Sequence, residues 1–568
     1  MDLSTKVRAA FEAAFPGNDF SFVRAVPATD RKFGDYQCND ALKLAKPMRL
    51  NPREVAAKVA EKLSADEAVA KVEVAGPGFL NITVSGAWIS SRLGLLAADG
   101  NLSVPQIGKG KKIVIDYSSP NAAKQMHIGH IRSTVIGGAL DRIFRTLGYD
   151  VIADNHLGDW GTQFGILIKG YRELLTDEER ENLTVATLEK CYVLSAARAK
   201  EEDGVWREGC KAELVKLQQG DEGNRALWKR FIDISIGEFE RMYSKLGVSF
   251  DTYRGESYYN DMMPGVVKRL QEVSLAVESE GALVVNLENE NLGVAIVRKS
   301  DGGYNYTTSD LACVESRVKE YQPERIIYVT DARQQLHFKQ WFSIAAKLGC
   351  TTKLVHVPFG LMSFQGKAIS TREGNLVRLD ELLSEAVKRS LAIVTSRRGS
   401  EEASSSNPSE EDIRLAEQIG YGAVKYSDLS HDPITDIDFS WDKALALDGN
   451  SGPYLQYAYA RVNSLMEKAG VSGVDGAFSV EEPSERSLAL QLLEFPGAVV
   501  RAAEAYKPSI LADYLFQTAQ LYSSFYQNTP VLKSDEETRR ARLNLCALFG
   551  SVLSKGLSCL GIETPKRI

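Results

Sequence analysis

No uninterrupted apolar run in the 568 residues comes near the roughly 18 that a membrane-crossing helix needs, so a membrane-spanning chain is not expected. Residues 1–6 lack a basic stretch followed by an apolar one; no secretory signal is read, and a cytoplasmic protein is expected. Cysteine is scarce. The seven residues, at positions 38, 191, 210, 313, 350, 546 and 559, are odd in number and contain no Cys-x-x-Cys pair. That spacing argues against a disulfide framework and against a zinc site, and leaves reduced thiols in the core. An excess of basic charge is also missing: the net charge is -7 and the pI about 5.7, so any contact with a nucleic acid must come from local basic surface. What is present is ordinary bulk. Apolar residues make up 44% and charged residues 25%, enough core for about four domains of roughly 150 residues each.

The chain is organised around one stretch. Residues 111–116 run into an apolar segment with the character of a buried strand, and Ser118-Ser119-Pro120-Asn121 breaks it. His127-Ile128-Gly129-His130 follows, and residues 131–147 place Ile131, Val135, Ile136, Leu140, Ile143 and Leu147 at helical spacing. Two histidines three residues apart, opening a helix that follows a strand, stand where an open α/β sheet binds phosphate. Imidazoles there donate hydrogen bonds to phosphate oxygens as charge builds on them, while Gly129 leaves space for a flat base against the backbone. The plain alternative is a helix-start turn.

These residues, with Lys124 and Gly158-Asp159-Trp160-Gly161-Thr162-Gln163, resemble the arginyl-tRNA synthetases, a family of class I aminoacyl-tRNA synthetases. The resemblance implies an α/β fold class: a Rossmann-type catalytic domain, a small N-terminal α/β domain and a C-terminal all-α anticodon-binding domain. The expected boundaries are 1–108 for the N-terminal tRNA-binding (D-loop) domain and 109–395 for the catalytic domain, with an insertion at about 170–290. Residues 396–450 are expected as a linker and helical junction, and 451–568 as the anticodon-binding domain. It further implies an ATP-dependent arginine-tRNA ligase, a monomer, with arginine, ATP accompanied by Mg²⁺, and the tRNA for arginine as partners. In such enzymes tRNA binds before activation proceeds.

Along the N-terminal part, residues 7–15 and 51–63 carry helical periodicity, and residues 72–74 and 79–84 read as strands. Gly34-Asp35-Tyr36-Gln37 and Gly76-Pro77-Gly78-Phe79-Leu80-Asn81 resemble the family domain that meets the tRNA corner. An exposed Phe79 beside Asn81 suits stacking on a splayed base and bonding to its edge. Strand phase alone offers Phe79 as core instead. Lys109-Gly110-Lys111-Lys112 is a short basic linker, and residues 170–290 are helical and charge-rich, with no catalytic constellation.

The second half resumes at residues 292–298, turns at Asp301-Gly302-Gly303, and enters a helix through residues 304–310, where Asp310 stands near the start as a possible cap. Residues 325–329 and 353–357 read as buried strands, the first ending at Thr330-Asp331-Ala332-Arg333-Gln334-Gln335 and His337. Arginine is a planar cation with five donors, so its pocket needs carboxylates and acceptors around a fork. The resemblance implies that Asp116, Tyr306 and Asp310 hold the guanidinium, and that Asn121 and Gln334 hold the amino and carboxylate end, with Ser118 and His127 in the same site. Asp116 stands where some relatives carry a glutamate, one methylene longer. Buried carboxylates reject a neutral analogue at about 1.5–3 kcal/mol per unpaired charge, so no editing domain is needed.

Class I enzymes also carry a mobile Lys-Met-Ser-Lys loop whose lysines neutralise ATP phosphates. The corresponding stretch here is Gly366-Lys367-Ala368-Ile369-Ser370-Thr371-Arg372, with Ala368 and Thr371 where the two lysines belong. Many family members share this loss, and the resemblance implies that Lys124 replaces the charge. The expected ATP and catalytic set is therefore Lys124, His127, Gly129, His130, Lys367, Ser370 and Arg372. An exposed loop with ordinary lysines is the alternative at 363–375.

Residues 396–412 are polar and of low complexity, and residues 413–426, 511–527 and 539–560 are amphipathic and helical. Tyr454, Gln456, Tyr457 and Arg461 mix aromatic faces with polar and cationic groups, a composition suited to unstacked anticodon bases. Aromatics at helical spacing also serve as core. Two rivals stay open: a class I synthetase for cysteine or glutamate, and a non-catalytic RNA-binding paralogue. Zinc ligands are missing for the cysteine enzyme, and the acids at 116 and 310 oppose an acidic substrate.

Overall fold

Lys112–Asp116 is the central strand of a five-stranded parallel sheet whose order is Lys353–Phe359, Arg325–Asp331, Lys112–Asp116, Asp150–Asn155, Thr252–Tyr253. The computed structural model describes residues 3–200, 204–364, 378–396 and 408–568, and the backbone of 367–368. From the central strand the chain moves outward first to one side, through Asp150–Asn155, and later to the other, through Arg325–Asp331. The reversal leaves a crevice at the carboxyl ends of the two strands paired through Ile327↔Ile115 and Tyr328↔Asp116, which is where open sheets of this kind take their ligands.

Ile113, Val114 and Ile115 are all fully buried, as expected of a strand covered on both faces. Val114, Ile326 and Tyr328 share a core with Leu311 and Val314 of helix Tyr306–Tyr321 and Trp341 and Ile344 of helix Gln335–Lys347. Helix Ile128–Thr146 follows the central strand and is buried on nearly all its sides. It sits close enough to the sheet that a Cβ on Gly137 would fall 2.2 Å from the Tyr117 ring. Ser133 Oγ donates to the Val329 carbonyl at 2.6 Å and fixes its height.

After the central strands the chain is helical through Thr162–Glu173, Val185–Arg198, Val205–Gln219 and Glu222–Leu246, and a three-stranded antiparallel sheet of Ala276–Ser279, Ala282–Asn286 and Val294–Arg298 follows. Only the last of these strands is evident from sequence; the other two are short and sit among charged residues. A third small sheet sets Met362–Phe364 between Lys367–Ala368 and Ile437–Phe439.

Two compact units divide the chain. One comprises Val104–Ala460, Ala498–Phe516 and Ser554–Ile568, and contains the sheets described so far. The other comprises Met1–Ser103, Arg461–Gly497 and Gln517–Leu553. Its sheet is four-stranded and antiparallel, in the order Val26–Pro27, Tyr36–Cys38, Phe79–Val84, Val69–Ala75. Asn51 caps helix Pro52–Leu63 through the Arg53 amide, with Pro52 in the first turn, where a missing donor costs nothing. Asp35, from the Gly34-Asp35-Tyr36-Gln37 stretch, takes the Val84 amide at 2.9 Å and the guanidinium of Arg486. Region 451–568 is thus shared between the two units.

Arg132, one turn into the helix that the histidines open, is 1% exposed and pairs with buried Asp428 at 3.1 Å. Its remaining donors reach the carbonyls of Gly360, Thr435 and Pro433. Burial pushes the Asp428 carboxyl up and Arg132 pulls it back, so the pair is stable only as a pair. Arg132→Leu is expected to cost about 3–5 kcal/mol in a denaturant titration, and adding Asp428→Leu to recover most of the loss. A loss of about 1 kcal/mol or less, the size typical of an exposed pair, contradicts this.

Candidate active site

The turn between the central strand and helix Ile128–Thr146 is strained. Ser118, Ser119 and Ala123 hold φ of 71, 48 and 62°, a left-handed region that costs non-glycine residues about 1–3 kcal/mol each. His127 leaves the turn in extended geometry as the helix N-cap. Its Nδ1 accepts the Gly129 amide at 3.1 Å, and His130 Nδ1 accepts the His127 amide at 3.1 Å. A ring whose Nδ1 accepts a backbone N–H carries its proton on Nε2. Burial pushes His130 down to about 3, with His127 and Lys124 adding to it, and burial and Lys124 also lower His127. Both imidazoles are therefore neutral near pH 7, stacked with centroids 3.9 Å apart, and each keeps one Nε2–H to donate.

A Cβ on Gly129 would meet the His127 ring at 2.8 Å. The space expected there for a base is taken in part by the histidine itself. Lys124 extends its ammonium over the Tyr192 ring at 5.1 Å, near enough to act on both imidazoles. Asn121 is exposed and forms a bridge to Gly158, where any side chain would strike its Oδ1. Gln163 Nε2 holds the Gly158 carbonyl at 3.1 Å. Asp159, the next residue, takes the amide and hydroxyl of Ser257 at 2.8 and 2.5 Å.

That contact leads to an acid which sequence reasoning missed. Glu256 opens the short helix Glu256–Tyr259 just after strand Thr252–Tyr253, again at a carboxyl end of the sheet. Burial and then the charges of Asp159 and Asp310 push its carboxyl up to about 7. Asp310 accepts from His337 Nε2 at 2.6 Å. It lies one turn inside helix Tyr306–Tyr321, whose N-cap is Asn305, so its possible role as a cap is set aside. Tyr306 is 67% exposed, and its hydroxyl is raised by burial, Glu256 and Asp310. Asp310 is near enough to act on the Glu256 carboxyl, and both acids on the Tyr306 hydroxyl, while Ser257, next to Glu256, leads to the histidine turn through Asp159, Gly158 and Asn121. Gln334 is exposed in the turn Ala332–Gln334 after strand Arg325–Asp331.

Other expected residues are engaged by the chain's own groups. Asp116 is 6% exposed and its Oδ2 accepts from the chain's own Arg317 at 2.7 Å, so no carboxylate stands open there for a substrate guanidinium. The Ser118 hydroxyl is buried between Thr134 and Tyr243, at 2.8 Å from each, and is likewise occupied. Asn81 is buried, its Oδ1 accepting from Gln37 at 2.9 Å, and so is not beside Phe79 as a free base reader. Gln456 is fully buried, and its amide nitrogen binds the carbonyls of Gln418 and Glu563 at 2.9 and 2.8 Å, which makes it a clamp rather than an exposed base contact. Phe79, Tyr454 and Tyr457 are half-buried, Tyr454 with its ring 5.9 Å from Phe516. Arg461 lies over the Tyr526 ring at 4.8 Å. Ser370 and Arg372 fall outside the described residues, and of Lys367 only the backbone is described, paired with Phe364.

Among the described residues no cluster of His, Cys, Asp or Glu is arranged to hold a metal ion, and no helix is long and apolar enough to cross a membrane. The chain matches the model for "tRNA synthetases class I (R), catalytic domain" over residues 93–441. It also matches the "Arginyl tRNA synthetase N terminal domain" over 1–84 and the "DALR anticodon binding domain" over 455–568. A Fusobacterium nucleatum protein named arginine–tRNA ligase is 44% identical, covering 97% of this chain and 96% of that protein. One of the same name from Edwardsiella ictaluri is 41% identical over 100% and 99%. Among solved structures, the arginyl-tRNA synthetase of Plasmodium falciparum superposes with a TM-score of 0.84 at 27% identity, over 100% of this chain and 98% of that one.

Proposed function

The chain belongs to the class I arginyl-tRNA synthetases, and from that premise we propose that it is an arginine–tRNA ligase whose arginine pocket is built from Glu256, Asp310 and Tyr306. The observation that carries the pocket is Glu256: a half-buried carboxyl faced by two other carboxylates, and so poised to ionise when a cation arrives. A substrate guanidinium supplies that cation, with a fork of donors that two acids and a hydroxyl can receive.

Arginine's carboxylate attacks the α-phosphate of ATP, giving arginyl-adenylate and pyrophosphate. The terminal ribose hydroxyl of tRNA then attacks the arginyl carbonyl, and AMP leaves. Asn121 and Gln334 orient the amino and carboxylate end. The Nε2–H groups of His127 and His130 donate to phosphate oxygens as negative charge builds, and Lys124 adds a cation beside them. Neutral donors at a helix N-terminus need no proton transfer to act. Mg²⁺ would accompany ATP and share the charge of its phosphates. Phe79, Tyr454, Tyr457 and Arg461 are kept as tRNA contacts, and Lys367, Ser370 and Arg372 as the loop over ATP. We also infer a cytoplasmic monomer, as the family resemblance implies.

The test is charging of bulk tRNA with ATP and each labelled amino acid in turn, beside pyrophosphate exchange with and without tRNA. Arginine alone is expected to be charged, with exchange dependent on tRNA. Binding of tRNA without any charging overturns the assignment in favour of a non-catalytic paralogue.

A further inference from the structure

Two carboxylates close the carboxyl ends of neighbouring strands, Asp116 on the central strand and Asp154 on the next, in register as direct partners. Both are buried, at 6% and 0% exposure, and side by side they repel unless a cation joins them. Arg317 is that cation. Its Nη2 donates to Asp116 Oδ2 and Asp154 Oδ2 at 2.7 Å each, and its Nε to Asp154 Oδ2 at 3.0 Å. The other oxygens point onward: Asp154 Oδ1 takes the Thr252 hydroxyl at 2.6 Å, and Asp116 Oδ1 takes the Ser119 hydroxyl at 3.1 Å. Ser119 belongs to the left-handed pair of the turn, and its amide is held by Asn155 Oδ1 at 3.1 Å. Strain of this kind persists only where the surroundings over-determine it.

Arg317 comes from helix Tyr306–Tyr321, the element that bears Tyr306 and Asp310. At about 100° per residue, positions 306, 310 and 317 fall within roughly 40° of one another, on a single face. One guanidinium therefore ties the helix carrying the amino-acid pocket to the turn carrying Asn121 and the histidines.

We propose that Arg317 is a positioning residue for arginine activation, a resident guanidinium that fills Asp116 and Asp154, locks the strained turn, and leaves to the substrate Glu256 and the Asp310 oxygen that His337 does not hold. This rests on the arginine–tRNA ligase reading above. Arg317→Lys keeps the charge and the packing stem but loses the fork that spans two acids. It is expected to melt close to wild type and bind tRNA as wild type does, with kcat for pyrophosphate exchange at least tenfold lower and KM for arginine raised. In Arg317→Ala the emptied space is shaped for a small planar cation. Guanidinium ion, below the concentration that unfolds wild type, raises kcat of that variant and not of wild type, whereas methylammonium does not.

If wild type charges arginine while Arg317→Lys matches it in kcat and KM, this proposal falls and the function stands. Absence of rescue in a folded Arg317→Ala also overturns it. If that variant does not fold, the lysine variant decides alone. Failure of wild type to charge arginine removes the underlying reading instead.

Discussion

Glu256→Gln lowers kcat/KM for arginine by about tenfold to more than a hundredfold above neutral pH, because a charge-assisted bond to the guanidinium, worth about 1.5–3 kcal/mol, becomes a neutral one. Most of the effect appears in KM, since the guanidinium is held equally before and during the attack on phosphate. The wild-type enzyme carries a pH signature of the same origin. Its Glu256 carboxyl is pushed up to about 7 by burial and by Asp159 and Asp310. In the proposed pocket arginine binds the ionised form, so KM for arginine is expected to climb toward tenfold per unit as pH falls below about 7, and Glu256→Gln to abolish that slope. For folding, the sign is opposite. The folded value lies above the ordinary 4.5, so the folded chain holds more protons between there and about 7, and the stability contributed by this group is lost as pH rises through that window. A steady-state profile of KM against pH for the two proteins checks the first point. A KM that stays level in wild type removes Glu256 from the pocket.

His130→Ala is expected to lower kcat for adenylate formation by about 10²–10³, the usual consequence of removing one preorganised donor from a developing oxyanion. The variant also loses a helix cap, because His130 Nδ1 holds the His127 amide, at a cost of about 1 kcal/mol of stability. Single-turnover kinetics under saturating arginine and ATP separates the two: the cap affects the melting point and the donor affects kcat. Because His130 is neutral down to about 3 and His127 is also lowered, kcat at saturating arginine shows no histidine step across the range near about 6.5 where a free imidazole titrates. A step there would mean that a charged imidazole, and not a neutral donor, serves the phosphate.

The histidine turn was legible because all its signals are local. The strand, the break at Pro120, the two imidazoles three residues apart and the apolar spacing behind them lie within a few dozen residues. The proposed arginine pocket is only half legible, because its chemistry is assembled by the sheet. Asp116 reads as an open acid until Arg317, 201 residues away, is seen to fill it. Glu256 is one glutamate after a glycine in a charged region. Only the placement of Thr252–Tyr253 beside Asp150–Asn155 brings it to Asp159 and Asp310. The burial of Gln456 is hidden for a related reason: a polar residue among tyrosines resembles a base reader, and the carbonyls of Gln418 and Glu563 that it clamps come from distant segments. Helices survived better than short strands. Residues 511–527 became Pro508–Asn528, whereas Ala276–Ser279 and Ala282–Asn286 are too brief for a period to show.

The most direct measurement compares kcat/KM of the wild-type enzyme for arginine and for citrulline, its neutral isostere, in tRNA charging above neutral pH. Acids that wait for a guanidinium are left unpaired by a urea group, and two such losses of about 1.5–3 kcal/mol each lead arginine to win by about 10²–10⁴. A preference within about tenfold, the scale of a contact that does not use charge, would contradict a pocket built on Glu256 and Asp310.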